Sequence, residues 1–437
     1  MRTATGRSDM TERRLITVDF ASVTGRVKPL HGMCNGPLSP GADLRDLFAV
    51  MGVPRVRFAD AGGKQSGLFV NVSHVFPDPS ADEYDPKNYC FAPTDALIKA
   101  AAESKAEIVY RLGESDNGWR YDLPENVDKW VRVCVNIIRH YNDGWGEGTQ
   151  LGLRYFEVWA TPDTMQGLGN ATAFAFYEKV AHGIKTYDPA LQVGGMGFAD
   201  YGPMAREYIK FCKKKQVPLD FVSVCAFGKT PESALAGANK LSAYLQKSDM
   251  AHLPIFISEW NCARPDASVL TPAQKQEAYE ALHSLPGAVF CASVLLKMQN
   301  AFGIEAATYY DAQPEISSLC GICDRFGNPA KPLYAFQAFD TLYRQGSAVF
   351  CDVQGSGVDA AASSGERAGA LMVSVLDGAG LVDIRLNNLP ADVYSADVLI
   401  LDGVRNLAHV QTLPLLGMSR QVCISVSKYS LILIKLY

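Results

Sequence analysis

Between Leu30 and Tyr309, short apolar runs of strand length alternate with longer stretches whose apolar residues recur at helical spacing. The short runs predict strands over 30–35, 55–59, 107–112, 155–160, 191–196, 221–226, 255–259 and 304–309. The longer stretches predict helices over 42–51, 93–104, 127–141, 172–186, 203–215, 232–246 and 271–282. Eight strands alternating with helices over about 310 residues is the count of a (β/α)8 TIM barrel. A doubly wound open sheet is the competing arrangement, but no G-x-G-x-x-G follows the first strand.

After residue 347 the texture changes. Runs over 349–353, 371–376, 382–386, 392–401, 408–413 and 421–436 alternate polar and apolar residues, with Gly, Asn, Pro and Asp between them. This predicts an accessory antiparallel β-sandwich. An earlier strand over 15–21 precedes a turn at Gly25 and is expected to join that sandwich. The expected organisation is a disordered tail over 1–13, strand structure over 14–28, the barrel over 29–346 and the sandwich over 347–437.

Composition narrows the functional classes. At 437 residues, 48% hydrophobic and 20% charged, the chain has ample material for a large core. A net charge of −5 supplies no basic excess to neutralise phosphates, so no nucleic-acid partner is expected. No apolar run reaches the roughly 18 residues of a membrane span, so no membrane partner is expected either. The polar, basic start lacks the apolar core of a signal peptide. Eleven scattered cysteines, several in apolar contexts, fit reduced thiols and a cytoplasmic location. Cys320-Gly321-Ile322-Cys323 has neither a second pair nor nearby histidines, so neither a metal nor a cofactor is expected.

In such a barrel the working residues gather at the C-terminal ends of the strands. Five ends stop in polar or aromatic residues: Arg57/Asp60, Arg111/Glu114, Trp159, Glu259/Trp260/Asn261 and Tyr309/Tyr310/Asp311. Aromatic rings beside carboxylates suit a sugar, whose apolar faces stack while its hydroxyls need fixed polar partners. The plainer alternative is that each Trp caps the barrel core and each Arg–Asp pair is a salt bridge.

Several motifs, taken in order, carry a resemblance. They include Phe76-Pro77-Asp78, Tyr110-Arg111-Leu112-Gly113-Glu114-Ser115, Ile138-Arg139-His140-Tyr141-Asn142, Phe156-Glu157-Val158-Trp159, Val193-Gly194-Gly195, Ser258-Glu259-Trp260-Asn261 and Tyr309-Tyr310-Asp311. From roughly Val18 to Tyr437 the chain resembles the family 39 glycoside hydrolases, retaining enzymes that include β-xylosidases and α-L-iduronidases. The resemblance implies a carbohydrate substrate and makes Glu259 the nucleophile. The family's general acid/base is the Glu of a Trp-Asn-Glu-Pro run, where this chain reads Trp159-Ala160-Thr161-Pro162. Thr161 thus occupies the acid/base position, and Ala160 that of the Asn which holds the sugar 2-hydroxyl.

Other positions depart as well. Arg57-Phe58-Ala59-Asp60 replaces Arg-x-His-Asp, and Ser223-Val224-Cys225-Ala226-Phe227 replaces a Ser-Trp-His-x-Tyr-like run. Losses at several separate positions point to divergence, and the small replacements to a roomier pocket. The residues expected around the sugar are Arg57, Asp60, Trp159, Ala160, Cys225 and Phe227, with Trp260, Asn261, Tyr309 and Asp311. Asp163, Asp116 and Glu114 are candidate substitutes for the missing acid/base. Glu157, on the parity of Thr161 but about 13 Å deeper, is expected to pair with an arginine. Three readings stay open: a glycoside hydrolase with a relocated or absent acid/base, a carbohydrate-binding protein that does not cleave, and non-hydrolytic chemistry on a modified sugar.

Overall fold

A closed barrel of eight parallel strands carries the strand ends in question. The computed structural model describes residues 13–61, 66–114, 123–262, 271–314, 319–390, 392–415, 417 and 419–437. Asp116 and nearly all of the 1–13 tail lie outside the described residues.

The chain starts with β1 (Arg13–Arg26), then enters the barrel with β2 (Gly32–Cys34) and a minimal hairpin, β3 and β4 (Leu38–Ser39 and Ala42–Asp43). Next come α1 (Arg45–Met51), β5 (Arg55–Phe58), the short α2 (Val72–Val75), α3 (Ala92–Glu103) and β6 (Glu107–Leu112). The middle of the barrel is α4 (Val127–Asn142), β7 (Tyr155–Val158), α5 (Asn170–Tyr187), β8 (Gln192–Phe198), α6 (Pro203–Lys215) and β9 (Phe221–Phe227). It ends with α7 (Pro231–Gln246), β10 (Ile255–Asn261), α8 (Pro272–His283), α9 (Leu285–Asn300), β11 (Ile304–Tyr309) and α10 (Lys331–Tyr343). The barrel order is β10-β11-β2-β5-β6-β7-β8-β9.

Local sequence explains several boundaries. Thr230 caps α7 and Thr271 caps α8, each by a reciprocal box with the residue three further on and each followed by proline. Strand β7 stops at Val158, short of the expected 160, because Trp159 and Thr161 adopt positive φ of 66° and 43°. The paired glycines after Val193 have a packing cause. A Cβ on Gly194 would lie 2.2 Å from the Phe221 carbonyl oxygen and one on Gly195 2.7 Å from that of Val158.

Helix α9 has no apolar stripe to read. Ala288, Val289, Ala292, Val294, Leu295 and Leu296 are all buried, so the helix is apolar on every side and periodicity is absent. No single described helix is long and apolar enough to cross a membrane; α8 and α9 reach that length only together, bent by 61°.

The chain divides into two compact units, one of Lys28–Ser284 with Met298–Leu333, the other of Met1–Val27, Leu285–Lys297 and Tyr334–Tyr437. Most of α9 and α10, which fall within the expected 29–346 segment, therefore group with the C-terminal sheet. That sheet adds β12 (Ser347–Gln354), β13 (Val358–Ser364), β14 (Gly369–Val375), β15 (Gly380–Asn387), β16 (Ser395–Leu401), β17 (Ala408–Pro414), β18 (Ser419–Val426) and β19 (Ser430–Leu436). The nine strands run in the order β17-β16-β19-β14-β13-β12-β1-β15-β18. All pairings are antiparallel except β1 with β15. One apolar core, including Val398, Ile434, Val373, Ile16 and Val422, takes residues from both ends of that order, so the sheet folds over on itself. The run over 421–436 is two strands, and the Ala-rich β13 was absent from the expected set.

Within this unit Ser293 of α9 and Ser374 of β14 share a buried hydrogen bond of 2.7 Å. Removing one hydroxyl strands the other in an apolar setting. Ser293→Ala should therefore destabilise by about 1–3 kcal/mol, while adding Ser374→Ala should recover much of the loss. Denaturant unfolding of both variants checks this, and strictly additive losses would contradict it.

Candidate functional site

Arg57, the third residue of β5, sits inside the barrel with 2% of its surface exposed. A buried guanidinium needs charged or polar partners. Its Nε donates to Glu157 Oε2 at 2.6 Å and its Nη1 to Glu259 Oε1 at 2.9 Å. Burial opposes the charge on Arg57, yet Glu157 and then Glu259 hold its pKa well above the ordinary arginine value. Glu157 itself is 1% exposed, the arginine partner expected of it.

Glu259 reaches this network through a bulge in β10. Ile257 pairs with Val224 and Glu259 with Cys225, so Ser258 is an extra residue relative to β9. Consecutive side chains consequently face the same neighbour: Ser258 Oγ lies 3.7 Å and Glu259 Oε2 3.9 Å from Cys225 Sγ. A regular strand would turn them to opposite faces. The Ser258 carbonyl is fixed by the Thr308 hydroxyl at 2.6 Å and the Cys34 thiol at 3.1 Å. With 13% of its side chain exposed, the Glu259 carboxylate meets solvent while Glu157 does not. Burial pushes its pKa up; Arg57 pulls it down, and the like charges of Asp60 and Glu157 push it up again. Cys225 is buried, and burial followed by Glu259 drives its thiol pKa well up.

On the β7 side the chain leaves the strand and hangs on β8. The Thr161 amide donates to the Gly197 carbonyl at 3.0 Å. Gly197 has φ +58° and lies against Ala160 and Glu157: a Cβ there would sit 3.4 Å from Glu157 Oε1 and 3.5 Å from Ala160 Cα. Asp163 accepts the backbone amides of Ala199 at 3.0 Å and Asp200 at 3.4 Å, one on each oxygen. Trp159, expected to face a sugar, is 1% exposed and packs its ring on Trp130 and Phe176 of the helical layer. The positive φ at Trp159 turns its side chain to a face that strand parity does not predict.

On the opposite side, Asp60 follows β5. Its Oδ1 accepts Asn35 Nδ2 at 2.8 Å and its Oδ2 accepts the Tyr310 hydroxyl. Asn35 also takes the Ala59 amide on its Oδ1 at 3.2 Å and gives its own amide to the Arg57 carbonyl at 2.8 Å. The Phe227 and Tyr310 rings meet edge to face at 6.3 Å. Burial and then Asp60 raise the Tyr310 pKa, so it stays a hydroxyl donor.

Four of the expected sugar contacts, Trp260, Asn261, Tyr309 and Asp311, are buried, and so is Arg111. Trp260 is fully buried against Tyr309, with ring centres 5.0 Å apart. Asn261 Nδ2 fastens the carbonyls of Tyr310 and Leu319, at 2.5 and 2.9 Å. Asp311 is fully buried and accepts Gln313 Nε2 at 3.0 Å. Arg111 binds the Ala59 carbonyl and Asn71, and Glu114 accepts the Ser73 amide at 2.8 Å and hydroxyl at 2.6 Å. Asn35 and Cys34 were missed, although the strand-end rule applied to the first strand points to both. Among the described residues no cluster of three or more His, Cys, Asp or Glu side chains is placed to hold a metal ion.

The raised Glu259 pKa has a consequence for stability. The fold favours the protonated form, so this residue's stabilising contribution is complete below the ordinary glutamate pKa and is lost as pH rises through the raised value. Glu259→Gln mimics the protonated form. Its melting temperature should exceed that of the wild type at pH 7, and the gap should close below about pH 4. Calorimetry across that range decides it, and a lower melting temperature at pH 7 is the contrary result.

Residues 118–285 match the model of "Glycosyl hydrolases family 39". A beta-xylosidase from Geobacillus stearothermophilus is 29% identical over 190 residues, which cover 38% of this chain and 36% of that protein. The chain thus matches about a third of the length of this curated relative, 36%. Solved structures align over nearly the whole chain. A glucosidase from Croceicoccus marinus gives TM-score 0.78 at 20% identity, covering 98% of this chain and 99% of the other. A GH39 enzyme from Xanthomonas axonopodis pv. citri gives 0.72 at 18%, covering 98% of each. A monomeric beta-xylosidase from Caulobacter crescentus CB15 gives 0.70 at 17%, covering 97% and 99%. These likenesses carry the fold, and the match to the family 39 glycoside hydrolase model runs from before β7 to the end of α8, the stretch that holds both Thr161 and Glu259.

Proposed function

We propose that this chain hydrolyses a glycoside with retention of configuration, using Glu259 as the nucleophile. The observation that carries the reading is the Glu259 carboxylate at the end of β10, bulged inward and ion-paired to Arg57 at 2.9 Å while still reaching solvent. A nucleophile of this kind must be oriented before it attacks, because a fixed attacking atom removes much of the entropic barrier. Arg57 fixes one oxygen of Glu259. The other, facing Cys225, has only a weak thiol donor and keeps its electron pairs for an anomeric carbon.

The β-xylosidase relative suggests a pyranoside as the first substrate to try. Ala160 and Cys225, where the family resemblance leads one to expect Asn and His, remove hydroxyl partners, so the preferred sugar should differ from a plain xyloside. A cytoplasmic location belongs to this reading, supported by thiols such as Cys34, Cys134 and Cys212 that are buried as small hydrophobes. No nucleic-acid or membrane partner forms part of it.

A reading in which the pocket binds sugar without cleaving it draws on Thr161. General acid/base help supplies about 10²–10⁴ in rate, and a threonine hydroxyl has no pKa that suits the task. The two readings part on covalent chemistry. Dinitrophenyl 2-deoxy-2-fluoro glycosides of xylose, glucose, galactose and arabinose should add one glycosyl mass to the intact protein, mapped by peptide analysis to Glu259 and absent from Glu259→Gln. If no sugar of the panel labels Glu259 while one protects the fold against heat, the binding reading stands and the hydrolase reading falls.

A further inference from the structure

Glu259 owes its direction to the backbone beneath it. Between Ile257 and Trp260 the register of β10 slips against β11 as well as against β9, so Ser258 and Glu259 together face Thr308 alone. A bulge of this kind interrupts the regular ladder, and the buried polar groups of its extra residue need other partners. The Ser258 carbonyl is met by two side chains, the Thr308 hydroxyl from β11 at 2.6 Å and the Cys34 thiol from β2 at 3.1 Å. All three residues are buried, Cys34 completely.

Each donor is itself fixed. Thr308 lies opposite Gly32 of β2, and a Cβ on that glycine would come within 3.0 Å of the Thr308 methyl. The missing side chain leaves room for the methyl on the β2 side, while the hydroxyl points to β10. Burial drives the Cys34 pKa well up, so its sulfur keeps a proton to donate. The same sulfur lies 3.4 Å from the Thr308 hydroxyl and 3.8 Å from Arg57 Nη1, the nitrogen that binds Glu259. Two donors therefore grip the bulge at its backbone, and one of them also touches the cation that holds the carboxylate.

We propose that Thr308 and Cys34 are positioning residues for the nucleophile: by holding the Ser258 carbonyl they keep the bulge that aims Glu259 into the barrel mouth. The assignment rests on the hydrolase reading of Glu259. Both residues act through the backbone and make no bond to the sugar. Without the Thr308 hydroxyl, the Ser258 carbonyl keeps only a weak thiol donor from the two side chains. A β10 free to regain its regular alternation would turn Ser258 and Glu259 to opposite faces and draw the carboxylate off its line of attack. An attacking atom misplaced by about 1 Å costs about 10² in rate. Binding of the unreacted sugar, which depends on the rest of the rim, stays as it was.

The full chain is compared as wild type, Thr308→Val, Thr308→Ser and Cys34→Ala, with the fluoro glycoside of the panel that labels the wild type fastest. Thr308→Val keeps the branched shape and removes the hydroxyl, whereas Thr308→Ser keeps the hydroxyl and removes the methyl. Intact-mass readings over time, at several concentrations, give the maximal rate constant for labelling Glu259 and the dissociation constant of the inactivator. The final stoichiometry counts the correctly folded molecules. Thr308→Val should lower the maximal rate constant by about 10–10²-fold with the dissociation constant unchanged. Cys34→Ala should lose several-fold, and Thr308→Ser should stay within a few-fold of the wild type. A purely structural role would lower the stoichiometry or the melting temperature and leave the rate constant of the folded molecules alone. That result in Thr308→Val and Cys34→Ala, or a loss carried by the dissociation constant, would overturn the assignment while leaving Glu259 as nucleophile. So would an equal loss in Thr308→Ser, which would trace the effect to methyl packing. Should Thr308→Val fail to fold, the rate constant of Cys34→Ala decides alone. Failure of every fluoro sugar to label the wild type would instead remove the hydrolase reading and this assignment with it.

Discussion

The site depends on one buried cation with two anions to share. Arg57 lies inside the barrel, where an unpaired guanidinium is not tolerated, and it pairs at once with Glu157 below and Glu259 above. Glu157 takes up the charge in the sealed interior, and Glu259 is left half-compensated at the mouth. The outcome is a carboxylate that is oriented and largely, not wholly, desolvated, only partly neutralised, with its pKa raised. Such a state suits the nucleophilic role proposed for Glu259. A full ion pair would quench it, and a free carboxylate would have no fixed direction.

Around that cluster the two sides of the barrel mouth differ. On the β7 side, the end of the strand is occupied by Ala160 and Thr161, small residues hung on the backbone of Gly197. On the β5 side, Asn35, Asp60 and Tyr310 form a connected polar set, and Asn35 ties it to the Arg57 backbone.

The sequence exposed the fold well, because every barrel strand is short and apolar and is separated from the next by a helix or turn. Helix α9 escaped because a helix buried on every side has no period to detect. In the site, Glu259, Arg57 and Asp60 were marked by the strand-end rule, and Cys225 by the family resemblance. The orientations of Trp159, Trp260, Asn261 and Tyr309 were not. Strand parity fails where a bulge or a left-handed residue resets the alternation, and this chain has a bulge at Ser258 and positive φ at Trp159 and Thr161. The neighbouring roles of Asn35 and Tyr310 depend on contacts across 25 and 250 residues of chain, which no local pattern encodes.

The sharing of Arg57 is open to direct measurement by carbon NMR titration of the Glu259 carboxyl, in the wild type and in Glu157→Gln. Removing the Glu157 charge takes away a like charge and leaves the guanidinium to Glu259 alone. The Glu259 pKa should therefore start above the ordinary glutamate value and fall in the variant. A Glu259 pKa that is ordinary in the wild type, or that is unmoved or raised by Glu157→Gln, would contradict a carboxylate tuned by a shared arginine.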